Sequence, residues 1–448
     1  MPAAEKSEAD AALFAEDSAC RGPIRSEGSV ASINSVWKRL LGVERVVVES
    51  WDFDEAADAL VVRVRAKKRD RLRCPICHLR CARYDAGGGL RRWRALDLGT
   101  VQTYLEAEAP RVSCKEHGVI VQDVPWAARQ SGFTLDFEDQ CAWLAVHTNR
   151  TAASELLRIA WRTVGRIVKR VGDDARAHTD LLDGLRRIGI DELSHRKGHK
   201  YVTVVVDHDT GRLVWMAPGR DKETLGKFFD ALGPERSALL QLVSADGAEW
   251  IEDVVRQRAP QATRCLDPFH VVQWATKALD EVRREKWNEL RKVGAHGHAK
   301  DLKNARWALW KNPENLTPGQ EKTLGWLATS NEKLYRAYLL KESLRSVFHL
   351  PGAPAVERLD AWQKWAQRSR IPPFVKLASS IRSYRPAIVA TIAHRLSNAI
   401  VEAKNTQLRL LLRQAFGFHH VEAFISLAML KLADLCPPLP GRRHPRMD

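Results

Sequence analysis

Between residues 186 and 270 the chain alternates short apolar runs with helix-period stretches, and an acid stands where each of three runs ends. Ile188-Gly189-Ile190 closes on Asp191, Leu240-Gln241-Leu242-Val243-Ser244 leads to Asp246, and Thr263 to Leu266 closes on Asp267. Lys200 to Val206 and Leu213 to Ala217 flank the turn sequence Asp207-His208-Asp209-Thr210-Gly211, which predicts a hairpin. Helical stretches follow at Glu223 to Leu232 and before Arg258. Strands that alternate with helices in this way predict an α/β domain whose strand ends carry carboxylates.

A lone Asp at a strand end is commonly a turn cap, and a lone Glu on a helix is commonly a solvated charge. The set means more. Glu402, in the amphipathic stretch Leu396-Ser397-Asn398-Ala399-Ile400-Val401-Glu402, adds a third acid to Asp191 and Asp246 on rigid elements. Carboxylate oxygens suit hard divalent ions such as Mg²⁺, and a pair of ions held this way supports phosphoryl transfer. The second acid stays open between Asp246 and Asp267; a fourth strand lying beside the first favours Asp246. His270, one turn beyond Asp267, is either a phosphate-orienting group or a helix-start histidine packed on the sheet. Glu192 falls on the opposite strand face and is not chosen.

The partner class follows from charge. Seventy-one Lys and Arg oppose 55 acids, leaving +16, a balance that points to a polyanion. No apolar run approaches membrane-spanning length, and the N-terminal residues lack a signal-peptide pattern. Clustered cysteines without secretion point to metal in a cytoplasmic protein. Cys74-Pro75-Ile76-Cys77 and Cys114-Lys115-Glu116-His117 form two knuckles that can place four ligands around a structural Zn²⁺, with Cys81 or His78 as the competing completions.

Thr151 to Arg170 predicts a helix-turn-helix. The first helix runs from Thr151 to Arg158, the turn is Ile159-Ala160-Trp161-Arg162, and the second helix runs from Thr163 to Arg170. Ala153, Leu156, Leu157, Val164, Ile167 and Val168 pack the pair; Arg162, Thr163, Arg166, Lys169 and Arg170 face DNA. The alternative is a helical hairpin with solvated basic residues. Tryptophans from Trp274 to Trp365 in the following helical region are read as core, with base stacking the lesser option.

The expected organisation is multidomain α+β: a disordered tail at 1–32, a zinc-ribbon module at 33–130 opening with a hairpin (Val46 to Trp51 and Leu60 to Arg65), and a helix-turn-helix at 135–178. An α/β core at 186–272 is interrupted by an all-helical insertion at 273–385. It resumes at 386–434 with the helices that carry Glu402, before a flexible basic tail at 435–448.

The chain resembles the ISL3 family of bacterial insertion-sequence transposases along nearly its whole length. The resemblance is carried by the two zinc knuckles, Gly189-Ile190-Asp191-Glu192 with Arg196-Lys197-Gly198-His199, Leu266-Asp267-Pro268-Phe269-His270-Val271-Val272, Leu309-Trp310-Lys311-Asn312-Pro313, Tyr338-Leu339-Leu340-Lys341-Glu342, Ser397 to Asn405, and Phe416-Gly417-Phe418. It implies an RNase H-like DDE catalytic domain with its first acid at Asp191 and its last at Glu402. It further implies two Mg²⁺ ions, with Mn²⁺ as substitute. Implied partners are double-stranded DNA, as element ends and as target, and further copies of the chain, at least a dimer on DNA. The implied setting is the bacterial cytoplasm, with nucleoid association. Ala399 and Ala403 stand where the family pattern has Gly, and the ribbon ends in CxxH rather than a second CxxC. The rival readings are a domesticated DNA-binding regulator without catalysis and an RNase H-like nuclease that cuts without joining.

Overall fold

The computed structural model describes residues 33–442 and divides into two compact units, one ending at Phe137 and one beginning at Glu138. The tail expected at 1–32 and the end of the basic tail lie outside the described residues. No helix among them is long and apolar enough to cross a membrane.

The first unit contains α1 (Ile33–Leu41), β1 (Val46–Asp54), β2 (Ala59–Ala66), β3 (Ala82–Asp85), β4 (Leu90–Arg94), β5 (Gln102–Glu108), β6 (Arg111–Cys114) and β7 (Gly118–Val121). Strands β1, β2, β5 and β4 form one sheet in that order, and β3, β6 and β7 form a second. The expected β1–β2 hairpin is present, but its strands reach Asp54 and Ala59, so the turn is shorter than the sequence suggested. Alternation on β2 buries Val62 and Val64 against Trp93, Leu105 and Trp126, and the two tryptophans meet edge to face at 5.5 Å. What reads in sequence as one zinc module is thus a small three-stranded sheet carrying the knuckles plus a separate four-stranded sheet.

Helix α2 (Leu135–His147) spans the division between the units. In the second unit α3 (Arg150–Leu157) and α4 (Trp161–His178) form the helix-turn-helix. Asn149 caps α3 by accepting the Ala152 N–H, and Arg158, at φ 54°, ends it. Helix α4 begins at Trp161, so Trp161 and Arg162 lie in the helix, not the turn. Leu156, expected in the packing, is 61% exposed.

The α/β core follows: β8 (Arg187–Arg196), β9 (Lys200–Asp207), β10 (Leu213–Pro218), α5 (Lys222–Leu232), α6 (Pro234–Ser237), β11 (Leu242–Ala245), α7 (Glu249–Arg258) and β12 (Thr263–Leu266). The sheet order is β10-β9-β8-β11-β12, with β8 antiparallel to β9 and parallel to β11. The first strand is central and the fourth lies beside it, as expected for an RNase H-like sheet.

The chain then leaves the sheet through α8 (Pro268–Lys292), α9 (His296–Leu309), α10 (Pro318–Ser330), α11 (Glu332–Val347), α12 (Gly352–Arg368) and α13 (Pro372–Ser383). These helices share a core that includes Leu279, Leu309, Leu340, Trp362 and Phe374. Trp362 is buried and donates its indole N–H to Leu340 O at 2.8 Å, whereas Trp307, Trp310 and Trp365 stay exposed. Helix α14 (Arg385–His394) returns to the sheet, where Thr391 Oγ1 donates to Leu266 O at 2.8 Å. Helices α15 (Ala399–Gln414) and α16 (Val421–Leu432) complete the unit.

Candidate functional site

The acid row is set by strand register. Ser244 pairs with Gly189 across β11 and β8, and Ala245 with Leu266 across β11 and β12. Continuing that register puts Asp191, Asp246 and Asp267 at one level on three neighbouring strands, each about 4.8 Å from the next. A Cβ built on Gly189 would meet Val401 Cγ2 at 2.3 Å, His208 Nε2 at 2.8 Å and Ser244 Oγ at 3.1 Å. That face of β8 is therefore covered by α15, and only glycine lets the helix approach so closely. Asp191 and Asp246, two residues beyond Gly189 and Ser244, fall on the same side as the helix that bears Glu402.

Hydrogen bonds fix the row. Asp191 Oδ1 accepts the Glu192 N–H at 2.8 Å, and Asp191 Oδ2 accepts from the Asn405 side-chain amide at 2.7 Å. Asp246 Oδ1 accepts the Ala248 N–H at 3.0 Å. Asp267 caps α8 at Phe269 N and takes the Asn398 N–H at 3.4 Å on the same oxygen. Its other oxygen is buried without a hydrogen-bond partner among the described residues, 3.9 Å from His270 Nε2. Beneath the row, Ser244 Oγ donates to Asn398 Oδ1 at 2.5 Å and lies 2.7 Å from His208 Nε2, which makes Nε2 the donor to Ser244.

Charge crowding shows in the protonation equilibria. Burial pushes Asp191 up to about 6, with Asp246 and Asp267 adding to the rise. Burial likewise pushes Glu192 up to about 7, with help from Asp246 and Asp191. Asp267 and Glu402 are also raised, first by burial and then by the neighbouring acids. Carboxylates that repel one another in a partly buried setting invite a cation. The acids have not closed to mutual ligand distance: among the described residues, only the cysteine–histidine group gathers three or more donors within 4.8 Å. The orphaned Asp267 oxygen and the oxygen-only donor set fit a hard divalent ion. Both candidate second acids thus belong to the row, Asp246 half-buried and Asp267 buried.

The side chains bonded to or beneath the row that sequence reading left without a role are Asn398, Asn405, Ser244 and His208. A signal for two of them was present, since Asn398, Glu402 and Asn405 recur at helical spacing on one face of α15.

The expected zinc ligands come together. Cys77 Sγ lies 3.6 Å from Cys114 Sγ, and His117 Nδ1 lies 3.6 Å from Cys74 Sγ and 3.5 Å from Cys114 Sγ. Tetrahedral bonds of about 2.0–2.3 Å require ligand edges of roughly 3.5–3.8 Å. Backbone N–H groups of Glu116 and His117 hold the Cys114 thiol down to about 7, favouring the thiolate a metal needs. Of the rival completions, His78 Nδ1 lies 3.4 Å from Asp123, and Cys81, whose Sγ contacts Leu79 O at 3.4 Å, borders Cys114 but stays outside the close group of four.

On α4 the basic residues divide. Arg162 and Arg166 are exposed, and Arg166 donates to Thr163 Oγ1 at 3.2 Å. Lys169 pairs with Asp173 at 2.5 Å. Arg170 turns inward, donating from Nε to buried Glu138 at 2.9 Å, so it holds the helices together and offers little to a ligand.

Comparison with known proteins agrees with this layout. A transposase family model of the ISL3 DDE class matches residues 188–428, the helix-turn-helix domain of transposase family ISL3 matches 122–172, and the zinc finger of the IS204/IS1001/IS1096/IS1165 transposases matches 70–117. The transposase for insertion sequence element IS1557 of Mycobacterium tuberculosis is 52% identical over 438 residues, 92% of this chain and 99% of the relative. The transposase for insertion sequence element IS1001 of Bordetella parapertussis is 28% identical over 391 residues, 86% of this chain and 93% of the relative. With a zinc ribbon, a helix-turn-helix and a DDE-type domain matched in order, the chain belongs to the ISL3 family of transposases.

Proposed function

We propose that this transposase binds the terminal inverted repeats of its element and performs divalent-metal-dependent DNA cleavage and strand transfer at the acid row. The observation that carries the reading is the β8–β11–β12 register, which, carried on by one to two residues, leads to Asp191, Asp246 and Asp267 on the face covered by the Glu402 helix. Asp191, Asp246 and Glu402 would hold the ions, with Asp267 as the alternative second acid. Two Mg²⁺, or Mn²⁺ in their place, would supply Lewis-acid charge to the entering and leaving oxygens.

The chain's own residues set the geometry. Asn405 and the Glu192 N–H hold both oxygens of Asp191, so the carboxylate keeps one orientation as DNA enters. The Asn398 N–H holds one oxygen of Asp267 and leaves the other toward His270. Water attacks the scissile phosphorus in line, the 3′-oxygen leaves, and the resulting 3′-hydroxyl attacks a phosphodiester of the target in the same way. His270, 3.9 Å from Asp267, would contact a phosphate oxygen. Arg162, Thr163, Arg166 and Lys169 supply end contacts from α4, and holding two ends calls for at least two copies of the chain.

Purified protein incubated with labelled element ends, with and without Mg²⁺ or Mn²⁺, tests the reading. Metal-dependent cutting and joining that disappear in Asp191→Ala and Glu402→Ala, with end binding kept, are expected. Cutting without joining would identify a nuclease, and metal-independent binding alone a regulator. Wild-type joining by either variant would sink the site assignment, and Asp246→Ala against Asp267→Ala names the second acid.

A further inference from the structure

A cleft between the helix-turn-helix and the loop joining α15 to α16 lies outside the acid row. It encloses about 1410 Å³, more than the roughly 300–1,000 Å³ typical of small-molecule pockets. Arg150 forms its back wall, with the guanidinium 4.2 Å from the Trp161 ring centroid and 5.8 Å from that of Phe418. Gly165 makes room for it, since a Cβ there would already stand 3.3 Å from Arg150 Nη1. Among the described residues Arg150 has no hydrogen bond or carboxylate partner, and burial pushes its pKa down. An arginine recessed between two rings and left unpaired is an anion site in waiting.

The lining carries aromatic and basic side chains, and Glu155 and Glu422 are its acids. Trp161 is 43% exposed and Phe416 is fully exposed. Phe416 is held outward at φ 51°, a conformation a bulky residue rarely adopts, with Gly417 at φ 91° behind it. Arg162 and Arg166 also line the cleft and hold no carboxylate among the described residues.

We propose that this cleft receives a nucleotide swung out of a DNA duplex, its base stacking on the rim aromatics and its phosphate on Arg150. The proposal rests on the DNA-handling reading above and adds a second recognition element to it. Bases paired within a duplex hide their faces, so fully exposed rings gain from them only once a base leaves the stack. A recessed guanidinium likewise cannot reach the convex backbone of an undistorted duplex. An apolar peptide in the same cleft would strip water from Arg150 and offer only neutral carbonyl acceptors, leaving its charge uncompensated.

The test uses the full-length, zinc-loaded protein and two probes of one sequence: a duplex with 2-aminopurine in a single-nucleotide bulge, and the same duplex fully paired. The bulged probe should bind roughly 5- to 150-fold more tightly, the range that loss of one base–aromatic stack spans, with its fluorescence quenched. Phe416→Ala should erase the preference and the quenching while keeping the paired duplex Kd, and Phe416→Trp should restore both. Phe416 packs on nothing, so its variants fold. Equal binding of both probes, or a preference surviving in Phe416→Ala, overturns the proposal alone. Failure to bind either probe overturns the DNA-handling reading with it.

Discussion

The side-chain amide of Asn405 donates to Asp191 Oδ2 at 2.7 Å, across 214 residues of chain. One residue on the helix that carries Glu402 therefore sets the orientation of the first acid. Asn405→Ala should lower strand joining about 10- to 100-fold, the usual cost of losing the partner that orients a metal ligand, while end binding is unchanged. A joining rate that stays at wild type across the pH range would remove Asn405 from the machinery.

Packing of α15 on β8 depends on Gly189. Gly189→Ala places a methyl 2.3 Å from Val401 Cγ2, and forced overpacking of this kind costs about 1–3 kcal/mol. Denaturant unfolding should show that loss. Val401→Ala in the same chain should recover part of it, giving non-additive coupling. Additive behaviour would mean that the two residues do not meet.

Protonation of Asp191 in the acid row, and of Glu192 beside it, gives a stability profile of definite sign. Asp191 rises to about 6 and Glu192 to about 7 in the folded chain, so between about pH 4 and 7 the native state binds more protons than the unfolded one. Stability of the metal-free protein should fall as pH rises through that window, with Asp191 contributing on the order of 2–3 kcal/mol. Divalent ions, which bind the ionised forms, should offset the loss at the high end. Asp191→Asn should flatten the curve, and thermal unfolding in a pH series with and without Mg²⁺ reads both effects.

Zinc content separates ligand from bystander. Cys114→Ser should lose bound zinc and destabilise the first unit, whereas Cys81→Ser should keep one equivalent by metal analysis. Zinc retained in Cys114→Ser would return Cys81 to the ligand set.

The basic residues of α4 should split in two. Arg162→Ala and Arg166→Ala are expected to weaken end binding and lower the salt slope by about one unit each. Arg170→Ala, which removes an ion-pair partner of buried Glu138, should instead cost stability, by up to about 3–5 kcal/mol. Salt titrations of DNA binding alongside thermal melts distinguish these outcomes.

Much of the acid row was legible because apolar runs stop where Asp191, Asp246 and Asp267 begin; Asp246 and Asp267 do follow strand ends, but β8 carries on to Arg196, so Asp191 lies within its strand and not at its end. The zinc set was legible for the same local reason, two knuckles at ligand spacing. Partner choice was not. Arg170 and Arg166 are equally basic in sequence, and only the fold shows that one meets Glu138 and the other solvent. Leu156 has an apolar side chain at helical spacing yet points outward, because the contact that would cover it is not fixed by periodicity. The Asn398–Ser244–His208 chain joins residues far apart in sequence, and no local pattern encodes such a meeting.

The helical excursion between Asp267 and Glu402 meets the peptide beside Asp246 from two sides. Tyr384, at the end of α13, donates its hydroxyl to Gly247 O at 2.9 Å, and Trp274 of α8 lies so close that a Cβ on Gly247 would meet its ring at 2.5 Å. Tyr384 and Trp274 also contact each other, with centroids 5.3 Å apart. The two legs of the excursion thus grip the residue next to Asp246 as a clamp grips a rod. A tilt of either leg therefore bears on the residue next to Asp246, while Asp191 is held from α15.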